Sequence, residues 1–403
     1  MKKIVKVLLP LLALSNSAFA GCCGGDDGVK VRLSGSVDFT AAAIDDSGPK
    51  DRKRISANHD HFGFYNTAKF AVNAENQIDA DTKYGATIAV ATATRNARST
   101  PTEFYFESQA GRLELGSGKS AVSKMKITGG TSAVAAKGAW DTWVKADIRD
   151  NQITYFSNMG NFLDTKTRDL KHIEYSRKMT YFTPKLNGFQ FGLSYIPDTS
   201  NAGGNTVKDA VYHVKNSMSP GFQFAIKDGL AWGATYENSF SDDFSLKLAL
   251  VGEKGKVIAK EIEDAATPTT NPNAKFKNLK TYTFGANVEY GDLSFSIAYA
   301  DYMKSLTTAD IEPGRNRDIK IFSTGLGYHY GNMGFSVMHF HSKAKKNALD
   351  ATTFGVDYKL APGLLPYAEI TSYSTDGRYL DAGTYKKDKY HGTFGVVGVK
   401  LEF

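Results

Sequence analysis

The sequence predicts an all-β fold, a transmembrane antiparallel β-barrel of about sixteen strands. Many segments alternate apolar and polar residues with period two, which gives each strand one face for lipid and one for water. Short polar or glycine-rich turns join such segments in pairs, most clearly at Gly291-Asp292, at Gly331-Asn332 and across Ala361 to Gly363. Composition points the same way. With 41% hydrophobic residues and a mean hydropathy of −0.34 the chain is too polar to cross a membrane as helices, yet 25 Phe and 21 Tyr suit strands with aromatic girdles.

At the N-terminus, residues 1–20 have the pattern of a secretory signal. Lys2, Lys3 and Lys6 precede an apolar run from Val7 to Leu14, and Ala18-Phe19-Ala20 is a small-x-small cleavage site. That run is far shorter than the roughly 20 residues of a spanning helix. Residues 21–403 are then expected as one barrel domain, because no linker or change of period divides them. The formal net charge of +7 includes those three lysines, and what remains is too small to argue for a nucleic-acid partner.

The early strands follow in order. In VRLSGSVDF, Lys30, Arg32 and Asp38 fall on the watery face. AKFAV places Lys69 there, ATIAV near Ala86 is the third strand, EFYFES places Glu103 and Glu107, and RLELG places Arg112 with Glu114. After Leu115 alternation stops until about Ile148, which makes this the longest connection in the first half. FGLSY near Phe191 resumes the pattern. Farther on, Tyr282, Phe284, Ala286, Val288 and Tyr290 share one face, as do Phe354, Val356, Tyr358 and Leu360. Tight turns and long loops are expected to alternate strictly, with Lys254 to Asn278 and Thr375 to Gly392 among the long loops.

The last strand, Thr393 to Phe403, puts Thr393, Gly395, Val397, Val399, Leu401 and Phe403 on the lipid side and Lys400 and Glu402 on the water side. It resembles the closing strand of a bacterial outer-membrane barrel, in which the terminal aromatic, here Phe403, is the assembly signal. Paired with the first strand near Val29 to Phe39, it leaves no open edge. The segments Tyr181 to Asp198, Phe106 to Lys119 and Lys359 to Ile370 are similar to hairpins of the general diffusion porins of Gram-negative outer membranes.

The resemblance implies a sixteen-stranded trimeric channel in the bacterial outer membrane whose third external loop folds inward to form the constriction. It implies as partners outer-membrane lipid and lipopolysaccharide, two further copies in a homotrimer, small hydrophilic solutes and the barrel assembly machinery, with no cofactor. The family pattern sets loop carboxylates against basic side chains on the wall. On this loop the acids are Asp141, Asp147 and Asp150, and the bases include Lys137 and Lys145. On the wall, Arg32, Lys69 and Arg112 are the expected basic side, beside Glu107 and Glu114. Bases outnumber acids on the loop, which predicts weak anion preference or none. Trp140 and Trp143 flank Asp141 and either pack the loop or stack sugars.

Other motifs carry less. GSGKS, Gly116 to Ser120, lacks the first glycine of a phosphate loop because position 113 is Leu113. The pairs His59 with His61 and His339 with His341 lack a third ligand at fixed spacing, so no metal site is expected. Cys22 and Cys23 lie in a GCCGGDDG tail; Phe19 to Cys22 is a poor lipobox, and an oxidising compartment allows such thiols to pair between subunits. The expected function is passive diffusion of small hydrophilic solutes and ions. A channel selective for phosphate or another anion, an adhesin or surface antigen on a barrel, and a barrel enzyme are the alternatives. The enzyme needs a Ser-His pair on neighbouring lipid-facing positions, and the sequence offers none, so no catalytic residue is expected.

Overall fold

The computed structural model describes residues 28–46, 62–93, 96–98, 102–135, 162–164, 176–199, 222–261, 275–306, 318–344, 347–381 and 384–403. Among them lie β1 (Lys30–Asp46), β2 (Phe62–Gln77), β3 (Lys83–Ala93), β4 (Asn96–Arg98), β5 (Thr102–Ser108), β6 (Gly111–Gly116), β7 (Lys178–Phe182), β8 (Phe189–Asp198) and β9 (Phe222–Ser239). The second half supplies β10 (Phe244–Glu261), β11 (Leu279–Tyr290), β12 (Leu293–Asp301), β13 (Ile319–Tyr330), β14 (Met333–Ala344), β15 (Asn347–Tyr358), β16 (Leu364–Asp381) and β17 (Thr384–Glu402). All lie in a single antiparallel sheet, each pairing with its chain neighbours except β4 and β5.

These segments make a sixteen-strand barrel. β4 and β5 both pair with β3, β4 against Ala91–Ala93 and β5 against Lys83–Ile88, so the two are successive pieces of one strand. Closure comes from β17 pairing with β1 from Ser36↔Glu402 to Asp46↔Gly392. Beyond that register, the Gly35 and Phe403 backbones exchange hydrogen bonds of 2.7 and 3.0 Å. No sheet edge is left at the seam. No helix among the described residues is long and apolar enough to cross a membrane, and crossing by strands needs none.

One end of the barrel is closed by tight turns. Gly291, with φ 56°, heads the turn from β11 to β12, a backbone region in which side chains are strained and glycine is not. At the other end the connections differ from expectation. Thr375–Asp381 and Thr384–Gly392 continue β16 and β17 as one long hairpin, and β14 passes to β15 across only residues 345–346, so long loops do not alternate strictly with turns. Lys254–Glu261 likewise belongs to β10. Among the described residues no strand lies between β6 and β7, and the third connection, loop three, joins them; its expected end near Ile148 lies outside the described residues.

Exposed large apolar residues of β1 are Val31, Leu33, Val37 and Phe39, those of β8 are Phe189, Phe191, Leu193 and Tyr195, and those of β17 are Val397, Val399 and Leu401. They all share the outward phase, as the alternation predicts. The main buried cluster lies on the opposite phase, inside the barrel. Ala121, Val122, Met125, Phe162 and Leu163 of loop three pack there against Phe182, Ile196, Val251, Ile321 and Phe340 of the strands. This packing is what holds loop three indoors.

Candidate functional site

Loop three leaves β6 and turns at Ser120, whose hydroxyl accepts from the Ser123 N–H at 3.5 Å and caps the short helix α1 (Ala121–Met125). The Ser120 N–H donates to Asp164 at 2.6 Å, and the Ala121 N–H donates to the Ser194 hydroxyl on β8 at 2.8 Å. From there the chain crosses the inner wall strand by strand. The Gly129 N–H donates to Ser323 on β13 at 2.8 Å, and the Ser132 N–H to Ser296 on β12 at 3.3 Å. The Val134 N–H meets Ser336 on β14 at 3.1 Å, and the Ala135 N–H meets Asp357 on β15 at 3.1 Å. Loop three is therefore laid along the inside of the barrel by side chains that accept from its backbone.

The close approach needs small residues. A Cβ on Gly325 would strike the Gly129 carbonyl oxygen, and one on Gly285 would come 2.6 Å from the Ile127 oxygen. A buried carboxyl and a buried ion pair fix the loop's return. Glu253 on β10 accepts from the Phe162 N–H at 2.5 Å and the Leu163 N–H at 3.0 Å, and Lys178 on β7 pairs with Asp164 at 3.3 Å. Sequence reasoning missed Glu253, Asp164 and Lys178. Only the inward phase of Glu253, two residues from Val251, hints at it.

Where loop three meets β5 and β6, charges form a chain. Lys83 approaches Glu107 at 3.4 Å, and Arg112 pairs with Glu107 at 2.8 Å and Glu114 at 2.7 Å while lying 3.9 Å over the Tyr105 ring. Lys124 of α1 then reaches Glu114 at 2.5 Å and Glu103 at 3.2 Å. Here the base is on the loop and the acids are on the wall, the reverse of the family pattern. Arg112 is thus committed to its own carboxylates and is not a free member of the basic side.

Arg32 and Lys69 differ from it. Both lie on the inward phase, Arg32 opposite Asn73 and Lys69 opposite Ser36, and both are exposed. Neither makes an ion pair or side-chain hydrogen bond with another described residue. The acids of that wall are engaged: Asp38 accepts from the Tyr367 hydroxyl at 2.8 Å, Glu75 from Tyr105, and Glu402 pairs with Lys400. The expected constriction residues Asp141, Asp147, Asp150, Lys137 and Lys145 lie outside the described residues, as do Trp140, Trp143, Cys22, Cys23, His59 and His61.

His339 and His341 point outward from β14. The His341 Nδ1 lies 2.7 Å from Asp350 and the His339 Nδ1 lies 2.9 Å from the Thr352 hydroxyl. Ser374 shares that outward row, but Asp350 stands between it and His341. Two strand spacings, roughly 10 Å, separate that serine from the histidine, too far for a nucleophile and its base.

The chain matches the Gram-negative porin family over residues 8–378. It belongs to that family. Among relatives, an uncharacterised protein of Rickettsia conorii is 31% identical over 87% of each chain, and one of Rickettsia prowazekii is 29% identical over 98% of this chain and 99% of its own. Among solved structures, an anion-selective porin from Comamonas acidovorans aligns with TM-score 0.58 at 14% identity, covering 93% of this chain and all of the other. A substituted porin of Rh. blastica aligns at 0.53 with 12% identity over the same shares. At such identities these two show the fold alone. This porin is an outer-membrane channel protein, and its family is one of channels, not enzymes. Its short turns face the periplasm and its long connections the outside.

Proposed function

We propose that this porin is a passive diffusion channel for small hydrophilic solutes and ions with a weak preference for anions, working as a homotrimer. The observation that carries the reading is the pair of exposed bases Arg32 and Lys69, which have no ion-pair partner among the described residues, on an inner wall whose nearby acids Asp38 and Glu75 accept from tyrosine hydroxyls. Positive charge left unpaired in a water-filled passage raises the local anion concentration and lowers that of cations. Arg112, Glu107 and Glu114 set the passage's shape beside α1 and, together with Lys83, Lys124 and Glu103, carry little net field, because three bases balance three acids. Asp141, Asp147, Asp150, Lys137 and Lys145 complete the constriction in this reading. Phe403, hydrogen-bonded at the barrel seam, is the assembly signal, and residues 1–20 are removed on export.

Reconstitution of the purified porin into a planar bilayer tests the reading. Stepwise conductance increments without saturation by any single solute are expected. A membrane that stays silent at protein amounts sufficient for insertion would sink the channel, and saturable block by one anion would replace diffusion with selective uptake.

A further inference from the structure

The outward face of the barrel carries an uneven charge at its external rim. Lys254 of β10, Lys280 of β11, Lys320 of β13 and Lys343 of β14 share the outward phase, and each stands ten residues from the periplasmic end of its strand. A strand crosses the bilayer in about 9–11 residues, so these four lie where hydrocarbon gives way to the headgroups of the outer leaflet. Below them on the same wall, Leu250, Phe284 and Tyr299 face outward and are exposed. The lysines therefore close the apolar band on the side away from the lumen.

The register sets the four in two pairs. Lys254 lies directly opposite Lys280, and Lys320 directly opposite Lys343. Like charges so placed repel one another. All four side chains are exposed, and none makes an ion pair or side-chain hydrogen bond with another described residue. The nearby acids are turned elsewhere. Asp301, opposite Lys320 on β12, accepts from the Met303 N–H at 2.6 Å and the Tyr282 hydroxyl at 3.4 Å, and Asp350, diagonal to Lys343, is held by His341 at 2.7 Å. Asp318 lies two residues beyond Lys320, on the side away from the membrane. Other bases of the rim have their own acids: Lys256 pairs with Asp228 at 2.8 Å, Lys227 with Asp198 at 4.0 Å and Lys389 with Asp376 at 2.8 Å. A single lysine at a membrane boundary needs only water for its ammonium group. Two opposed pairs without an acid call for an anion from outside the chain.

We propose that the pairs Lys254–Lys280 and Lys320–Lys343 form a docking surface for phosphate-bearing lipid headgroups of the outer leaflet, each pair holding one phosphate. A phosphate group brings up to two negative charges and several strong acceptor oxygens, which two ammonium groups satisfy together. Lys280 and Lys320 lie two strand spacings apart, roughly 10 Å, so one doubly phosphorylated headgroup can reach both pairs. Height and direction select lipid over a soluble anion, because these side chains rise from a wall that lipid covers and the passage lies behind the strands.

Native mass spectrometry of the purified porin in a non-ionic detergent tests the assignment. The probes are an acylated glucosamine disaccharide carrying two phosphates, the same lipid carrying one, and phosphatidylcholine. The doubly phosphorylated lipid is expected to be retained most and phosphatidylcholine least. Lys280→Gln and Lys320→Gln are each expected to weaken that retention roughly five-fold. Lys389→Gln, which removes a base already paired with Asp376, is expected to leave it nearly unchanged. Equal retention of phosphatidylcholine, or retention that the Lys280→Gln, Lys320→Gln double variant leaves intact, would overturn the proposal. Displacement by millimolar inorganic phosphate would also overturn it, by making the surface a site for a soluble anion. Thermal unfolding gives an independent reading. Without lipid, Lys280→Gln relieves repulsion and is expected to raise the midpoint; with the doubly phosphorylated lipid present, it is expected to lower the midpoint relative to the natural chain. A change of the same sign in both conditions contradicts the assignment.

Discussion

Along β8 to β15 the stretch of inner wall beneath loop three is built mostly of serine, glycine and apolar residues, with buried acids at Glu253 and Asp357, and loop three lies directly upon it. Along β1 to β6 the inner wall carries Arg32, Lys69, Lys83, Glu103, Glu107 and Arg112, and beyond the exit of the loop at Ser117 and Gly118, the described part of loop three reaches it through Lys124. The contrast has a simple physical cause. A backbone can approach a wall only where side chains are short and offer acceptors for its N–H groups, as Ser194, Ser296, Ser323 and Ser336 do. Long charged side chains need water, so they keep their side of the barrel open.

The sharpest way to break this contrast is to remove Glu253. Glu253→Leu leaves the Phe162 and Leu163 N–H groups buried without an acceptor, a loss of roughly 2–6 kcal/mol at ~1–3 kcal/mol per orphaned group. Thermal unfolding followed by the shift of the heat-modifiable band is expected to fall markedly, with noisy single-channel current as loop three detaches. An unchanged midpoint and a quiet channel would mean the loop is held by something else.

Next in size is Gly325→Val, which sets a side chain against the Gly129 carbonyl and pushes loop three off β13 at about 1–3 kcal/mol. Channel conductance is expected to change while the strands still form, as circular dichroism would report. A smaller step is Ser296→Ala, which removes one hydroxyl that accepts from the Ser132 N–H and donates to the Gly129 carbonyl, for about 1–2 kcal/mol. It is expected to lower the midpoint slightly and leave conductance nearly as it was. If Ser296→Ala mattered as much as Glu253→Leu, the grading from buried carboxyl to single hydroxyl would be wrong.

The sequence disclosed the barrel because alternation survives wherever one face meets lipid. It is why Val397, Val399 and Leu401 could be set against Lys400 and Glu402 before any coordinates, and why Arg32, Lys69 and Arg112 could be placed on the inward phase. Alternation vanishes once a strand rises above the bilayer and both faces meet water, so Thr375 to Gly392 read as a loop although it is a hairpin. The loop-three anchors were hidden for another reason. Glu253 reaches residues about ninety positions earlier in the chain, and nothing local marks that partner. Arg112 had the right face, but its pairing with Glu107 and Glu114 depends on a cross-strand register that composition does not give.

The smallest energies belong to the open wall, yet they decide selectivity. At ~10 Å in water one charge changes an ion's energy by about 0.4 kcal/mol, so neutralising one base shifts the anion-to-cation permeability ratio roughly four-fold at low salt. Arg32→Gln and Lys69→Gln should each move the ratio by that order, with stability unchanged because neither side chain has a described partner to lose. Arg112→Gln should do less for selectivity and more for stability, since it breaks two ion pairs.

The most direct measurement is the zero-current potential of the porin in a planar bilayer under a low-salt potassium chloride gradient, compared with the Arg32→Gln, Lys69→Gln double variant. Anion preference in the natural chain that disappears in the double variant is the predicted result. Cation preference in the natural chain, or a potential that the two substitutions leave unmoved, would contradict the claim that the open, charged half of the inner wall governs passage.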